Sequence, residues 1–275
     1  MHDYIRPTTL AEAIAARSSM SRVLAGGTDL YPSAGVSLAG PIVDLTGIAD
    51  LQGIKMQDGQ LRIGACTTWS SIANAPLPAA LTALQQAALQ VGGRQIQTAG
   101  TLGGNLCNAS PAADGVPPLL VLGAEVELAS PAGTRRLLLK DFISGPRKVA
   151  FTEGEILVAV IVPPAGLLGK SAFLKLGARA YLVISIAMVA VRLIVDRGRV
   201  TSAFLAVGSC SGVARRLQTV EDRLIDAPVG SASGLIRNAD VAAALAPIDD
   251  IRATAAYRSE VAAELLRRAV AEALL

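Results

Sequence analysis

Two glycine pairs hold the residues whose types and spacing could do chemistry. The first lies in Leu24-Ala25-Gly26-Gly27-Thr28-Asp29-Leu30. The second lies in Gly100-Thr101-Leu102-Gly103-Gly104-Asn105, which runs on through Ala109-Ser110-Pro111-Ala112-Ala113-Asp114. Glycine has no side chain in the way and tolerates positive φ, so such segments let backbone N–H groups approach an anion closely. Thr28, Thr101 and Ser110 add hydroxyls, and Asn105 adds an amide. Asp29 and Asp114 would repel a phosphate and are expected to point elsewhere, toward ligand hydroxyls or a ring N–H. Two segments of similar grammar suggest one phosphate-bearing ligand gripped between two parts of the fold. Ordinary tight turns are the alternative reading, since Gly-Gly beside Thr, Asn or Asp is common turn chemistry.

Absences narrow the ligand. No Gly-x-Gly-x-x-Gly follows the first strand, and no Gly-x-x-x-x-Gly-Lys-Ser/Thr occurs, which argues against Rossmann and P-loop sites. A pyrophosphate shared between two separate segments remains. His2 is the only histidine, which removes Ser-His-Asp triads, Cys-His pairs and most zinc sites. Cys66, Cys107 and Cys210 stand far apart, so neither a disulfide framework nor a metal site follows. No catalytic side chain and no metal ligand is assigned.

The elements that must position these segments can be read from periodicity. Leu10 to Ala16 has helical spacing behind a Thr8 or Thr9 cap, and Val23-Leu24-Ala25 is a short strand feeding the first glycine pair. Ile42 to Leu45 and Leu61 to Ala65 read as strands, Thr67 or Thr68 caps a helix, and Pro78 opens another. Val126 to Ala129 and Arg135 to Leu139 form a hairpin across Pro131-Ala132-Gly133. Ile156 to Val162 is a strand stopped by two prolines, and Pro163 to Gly169 reads as a linker. Ile186 to Val195 and Val200 to Val207 are antiparallel strands. Two helices follow, the last from about Ile251, with Tyr257, Val261, Leu265 and Ala269 inward and Arg258, Glu260, Glu264 and Arg268 facing water.

With 275 residues, 52% apolar and 17% charged, the chain can bury a sizeable core in more than one unit. The formal charge of +3, with scattered basic residues, argues against nucleic acid as a partner. The longest apolar run, Tyr181 to Leu193, is too short for a transmembrane helix. The N-terminus lacks the apolar core of a signal peptide, and the expected location is cytoplasmic.

At these residues the sequence resembles the FAD-binding medium subunit of the molybdenum hydroxylases, the group of xanthine dehydrogenase and the aerobic carbon monoxide dehydrogenase flavoprotein. Ala25 to Leu30 matches the family's first FAD segment. Thr101 to Asn105 with Ala109 to Asp114 matches the second. Glu155-Ile156-Leu157, Phe173 to Arg179 and Asp250 to Arg258 are supporting matches. Gln95-Ile96-Gln97-Thr98 departs from the pattern, because relatives often carry Ile-Arg-Asn there. No inserted cysteine-bearing loop for an extra cluster is present.

The resemblance implies an α+β fold: a two-subdomain FAD-binding fold of the vanillyl-alcohol oxidase (PCMH) type over 1–166, divided at about 54, and a small C-terminal α+β domain over 170–275. It implies that Leu24 to Leu30 and Thr101, Gly103, Gly104 and Asn105 hold FAD, the pyrophosphate being bound by backbone N–H groups. Ser110 would also contact the cofactor, Asp114 would make a polar contact on the flavin side, Leu157 would pack near the adenine or along the cofactor, and Lys175 would lie at the polar edge of the isoalloxazine. Val183 or Ile184 would cover one ring face. Without the resemblance Lys175 reads as a surface lysine and Cys107 as a small packed residue. The implied function is electron transfer: a large partner carries the molybdenum cofactor, a small partner carries two-iron two-sulfur clusters, and FAD passes electrons to an external acceptor. A stand-alone flavin oxidase or reductase of the same fold, and a scaffold subunit without FAD, are the alternatives.

Overall fold

A computed structural model describes residues 4–35, 38, 40–180 and 182–275. His2 and Tyr181, both used in the sequence reading, lie outside the described residues. In the first 165 residues every side chain of strand Ile156–Val162 is buried. Its run of β-branched and aliphatic residues is what a strand covered on both faces requires. It is the middle of a five-stranded antiparallel sheet ordered Ile54–Gln57, Gln60–Gly64, Ile156–Val162, Glu125–Ser130 and Gly133–Leu138. Leu157, Val160 and Val162 join a core with Trp69, Leu84, Leu102, Leu106, Leu119 and Phe142. Ile156 and Val158 join a second core with Val43, Leu45, Ile48 and Leu51. The switch of faces comes from a register shift between Leu157 and Ala159, and such a bulge re-aims the side chains beside it.

The N-terminal sheet is parallel. Strand Ile42–Asp44 lies between Tyr4–Ile5 and Arg22–Leu24, running with both. Parallel strands cannot be joined by a tight hairpin, and helix Leu10–Ala16 carries the chain from one outer strand to the other. Thr9 caps that helix and Glu12 reaches back to the Thr9 N–H, a reciprocal capping box. The first glycine pair therefore leaves the carboxyl end of a parallel strand, where open sheets of this kind collect ligands.

The C-terminal sheet is an antiparallel meander of Lys170–Leu176, Ala187–Asp196, Arg199–Gly208 and Arg215–Arg216. Its second strand divides with period two. Met188 and Ala190 pack into the core that holds Trp69, Leu119 and Val160, and Ala187, Val189, Val191 and Leu193 into the core that holds Val220, Leu266 and Val270. This sheet is thus covered on both sides, which explains its unbroken apolar run.

Three helices follow the meander, Gln218–Leu224, Asn238–Ala244 and Ala255–Ala273, where two were expected. Seven-residue helices are too short to be stable alone; Val220, Leu224 and Val241 anchor them in the core. The last helix starts behind a Thr254 cap rather than at Ile251. Its inward face is also corrected. Arg258 is 2% exposed and Tyr257 is 46% exposed, so the buried stripe runs through Arg258, Ala262, Leu266, Ala269 and Val270. Two carbonyls and the Asp250 carboxylate draw the guanidinium inside, which a pattern of apolar residues cannot register.

Candidate functional site

The two glycine segments meet. A Cβ on Gly26 would lie 1.9 Å from the Ala99 carbonyl oxygen, and one on Gly100 would lie 3.4 Å from Thr28 Oγ1. Gly26 is needed because another part of the backbone occupies its side-chain space. Gly27 has φ +70° and faces the Tyr31 ring, so it serves the turn. The sole tryptophan, Trp69, is buried between these parts: hypothetical Cβ atoms on Gly115 and Gly100 would sit 2.6 and 3.3 Å from its indole.

Around this meeting point lies a cavity of about 600 Å³. Ala25, Gly26, Gly27, Thr28, Asp29 and Leu30 line it, with Thr101, Gly103, Gly104, Asn105 and Leu157 on other walls. Leu24 is not on the wall; it is 4% exposed and anchors the strand beneath. Ser110, Asp114 and Lys175 also stand off the wall.

The first segment keeps its donors free of acceptors among the described residues. The Tyr31 N–H reaches back to the Gly27 carbonyl at 2.9 Å and winds residues 28–30 into one turn. Among the described residues, no protein group accepts a hydrogen bond from the N–H of Gly26, Gly27, Thr28, Asp29 or Leu30. Backbone N–H groups left together at a turn form a concavity suited to an anion. Two cations adjoin it. Arg17 lines the cavity with its guanidinium on Ser18 O and Ser21 O, and its buried Nε has no partner among the described residues. Arg22 lines the cavity without an ion pair among the described residues. These arginines were missed in the sequence; their one signal is a basic pair shortly before the first glycine pair.

The second segment works differently. It is not a loop but the first turn of helix Leu102–Asn108, capped by Thr101. Its N–H groups are spent inside the chain: Leu102 on Thr67 O, Gly103 on Ala65 O at 2.8 Å, Gly104 on Thr101 Oγ1, Asn105 on Thr101 O. What it offers the cavity is the Asn105 amide. Asn105 Oδ1 accepts from the Gly115 N–H at 3.3 Å, which leaves the NH₂ end as donor. Trp69, Ile96 and Phe151 supply apolar wall that sequence reading did not single out.

Asp114 points away from any phosphate, as charge requires, but toward protein. Its carboxylate takes the Lys175 ammonium at 2.8 Å and the Ser185 hydroxyl at 3.1 Å. Burial raises the Asp114 carboxyl above the usual carboxylate range, and Lys175 and Ser185 offset part of the rise. Lys175, with 6% of its side chain exposed, is no surface lysine. Glu155, on the cavity wall, is held by Arg135 Nε at 2.5 Å and the Thr152 N–H at 2.6 Å. The Arg135 bond, foremost, lowers its carboxyl below the usual range. Cys66 also lines the cavity, and burial pushes its thiol up to about 12. Among the described residues no cluster of His, Cys, Asp and Glu could hold a metal ion, and no helix is long and apolar enough to cross a membrane.

The donor run, the flanking arginines and the apolar walls fit a long ligand with an anionic middle and flat ends, and FAD is such a ligand. Residues 1–165 match the FAD binding domain of molybdopterin dehydrogenases, and residues 172–273 match the carbon monoxide dehydrogenase flavoprotein C-terminal domain. The chain belongs to this family of FAD-binding subunits of molybdenum-containing oxidoreductases. It is 33% identical to the putative xanthine dehydrogenase FAD-binding subunit of Escherichia coli K12, covering 98% of this chain and 95% of that one. It is 32% identical to the carbon monoxide dehydrogenase medium chain of Afipia carboxidovorans, covering 98% and 96%. Among solved structures, reconstituted CO dehydrogenase from Oligotropha carboxidovorans superposes with TM-score 0.90 at 32% identity over 100% of this chain and 98% of that one. Quinoline 2-oxidoreductase from Pseudomonas putida 86 gives 0.88 at 26%, over 98% and 96%. The α+β fold expected from the sequence is the fold of these medium chains.

Proposed function

We propose that this chain is the electron-transfer subunit of a cytoplasmic, three-subunit molybdenum hydroxylase. Its partners are a large subunit with the molybdenum cofactor and a small subunit with two-iron two-sulfur clusters. Bound in the cavity, FAD supplies both one-electron and two-electron chemistry, which links such clusters to an external acceptor: NAD, oxygen, a quinone or a cytochrome. The chain's own residues bind and orient. The N–H groups of Gly26 to Leu30 hold the pyrophosphate, with Arg17 and Arg22 balancing its charge. The Asn105 amide and Thr101 hydroxyl fix its other side. Trp69, Phe151 and Leu157 exclude water along the ligand, and Asp29, exposed at the mouth, meets ligand hydroxyls. For Ser110, Asp114 and Lys175 the support is the family resemblance, since their own contacts lie behind the cavity wall.

The observation that carries this reading is the run of five N–H groups without an acceptor among the described residues, opening on a cavity bordered by two arginines. The experiment is native purification followed by a visible spectrum and a gel of the same fraction. Flavin bands with iron–sulfur absorbance and two further subunits are expected. Flavin on a solitary chain that turns over a substrate overturns the complex in favour of an independent oxidase. A colourless protein that fails to quench its Trp69 fluorescence on FAD addition overturns the flavin reading.

A further inference from the structure

We infer that Arg258, in the last helix, is a positioning residue for the flavin site, acting through the Ser110–Asp114 turn. The inference rests on the FAD reading above. Arg258 is 2% exposed, and its guanidinium is a junction. Nη1 donates to Ile186 O at 2.5 Å and to Ser209 O at 3.1 Å, while Nη2 donates to Asp250 Oδ1 at 2.6 Å. Both carbonyls belong to segments that grip the turn. Ser185, next to Ile186, donates its hydroxyl to Asp114. The Ser209 N–H donates to Pro111 O at 3.0 Å. The Ile186 N–H in turn bonds Leu176 O at 2.8 Å, beside Lys175, whose ammonium pairs with Asp114.

The turn transmits this grip to the cavity wall. Its last link is the Gly115 N–H, which donates to Asn105 Oδ1 and so decides which end of that amide faces the cavity. Hydrogen bonds therefore run from Asp250 through Arg258 and Ser209 to Pro111, the covalent chain carries the path on to Gly115, and a last hydrogen bond ends on Asn105. One residue on the path is held in an unfavoured conformation. Ser209 is not glycine, yet has φ +64°, and its buried hydroxyl has no partner among the described residues. A backbone of this kind persists only where its surroundings over-determine it. Here the Arg258 bond to its carbonyl and the Pro111 bond from its N–H do so. A planar guanidinium can serve two carbonyls and a carboxylate at once; an ammonium at that site cannot match the geometry.

The test compares the full-length chain with Arg258→Lys, which keeps the charge opposite Asp250 but loses the fork. FAD affinity is expected to fall about tenfold, the size of one lost charged hydrogen bond. The visible circular dichroism of the bound flavin is expected to change with it. Arg192→Lys is the control. Arg192 clamps Val121 O, Ala165 O and Leu168 O between the same two domains but makes no contact with the turn. It should lower the melting temperature and leave flavin affinity and dichroism unchanged. The inference is overturned if Arg258→Lys binds FAD like the wild type, or if Arg192→Lys perturbs the flavin equally. Should Arg258→Lys fail to fold, Asp250→Asn carries the test, with the same dichroism change expected and a wild-type spectrum counting against the path. If the wild type itself takes up no FAD, the function reading fails, a result distinct from an unresponsive Arg258 variant.

Discussion

The Lys175 ammonium lies 2.8 Å from the Asp114 carboxylate, with 6% and 10% of the two side chains exposed. Lys175 sits on strand Lys170–Leu176 of the C-terminal sheet, and Asp114 follows the second glycine segment. The pair joins the two family-matched regions. Removing one partner strands the other charge in a low-dielectric site.

Lys175→Met is therefore expected to cost about 3–5 kcal/mol at neutral pH, the range for a broken buried pair. Asp114 already titrates above the usual carboxylate range, and loss of Lys175 moves it higher. A carboxyl raised on folding binds a proton more readily in the native state, so stability falls as pH rises through the unfolded and then the folded pKa. The defect should be smaller near ~pH 4 than near ~pH 8. Urea unfolding at both values checks this, and Lys175→Met with Asp114→Asn should recover part of the loss.

Glu155 carries the opposite sign. Arg135 and Thr152 lower its carboxyl on folding, so its contribution is complete above the ordinary carboxylate pKa and is lost as pH falls through the folded value. Glu155→Gln should cost about 2 kcal/mol at ~pH 7, as for a charged hydrogen bond, and much less at ~pH 3. Denaturant titrations of both chains at the two values read the difference.

Gly26→Ala tests the contact between the glycine segments. Its Cβ would fall 1.9 Å from Ala99 O, so the strand end or the start of the second segment must move. Overpacking of this kind costs about 1–3 kcal/mol. The displaced turn should also lose FAD, read as loss of flavin absorbance after gel filtration. Gly230→Ala, where a Cβ meets nothing within 4 Å, should bind FAD normally.

The thiols of Cys66 and Cys210, like that of Cys107, are pushed up to about 12 by burial. Only a thiolate attacks a disulfide reagent. Both residues are buried while Cys107 is partly exposed. Titration of the folded chain with an aromatic disulfide at mildly alkaline pH should therefore read no more than the Cys107 thiol, with Cys66 and Cys210 following on unfolding. Fast reaction of Cys66 in the folded chain would count against the burial of its thiol beside the Leu45 carbonyl.

Much of the architecture was legible because it rests on local rules. Ile156–Val162 announced itself as an apolar strand stopped by two prolines, the Gly133–Leu138 hairpin partner by its turn, and the first helix by its spacing behind a Thr8 or Thr9 cap. The two glycine segments were legible as a pair because their residue types restrict backbone and side-chain volume wherever they fall. Three-dimensional packing decided the rest. Whether an N–H is free depends on which carbonyl folding brings to it: Ala65 and Thr67 consume the donors of the second segment, while nothing described consumes those of the first. Which face of the last helix is buried depended on Asp250, Ile186 and Ser209 reaching Arg258. The fate of Lys175 depended on Asp114, 61 residues away. Residue type and spacing determine local conformation; the partners of a charge or a backbone donor are set by long-range contacts, which periodicity does not encode.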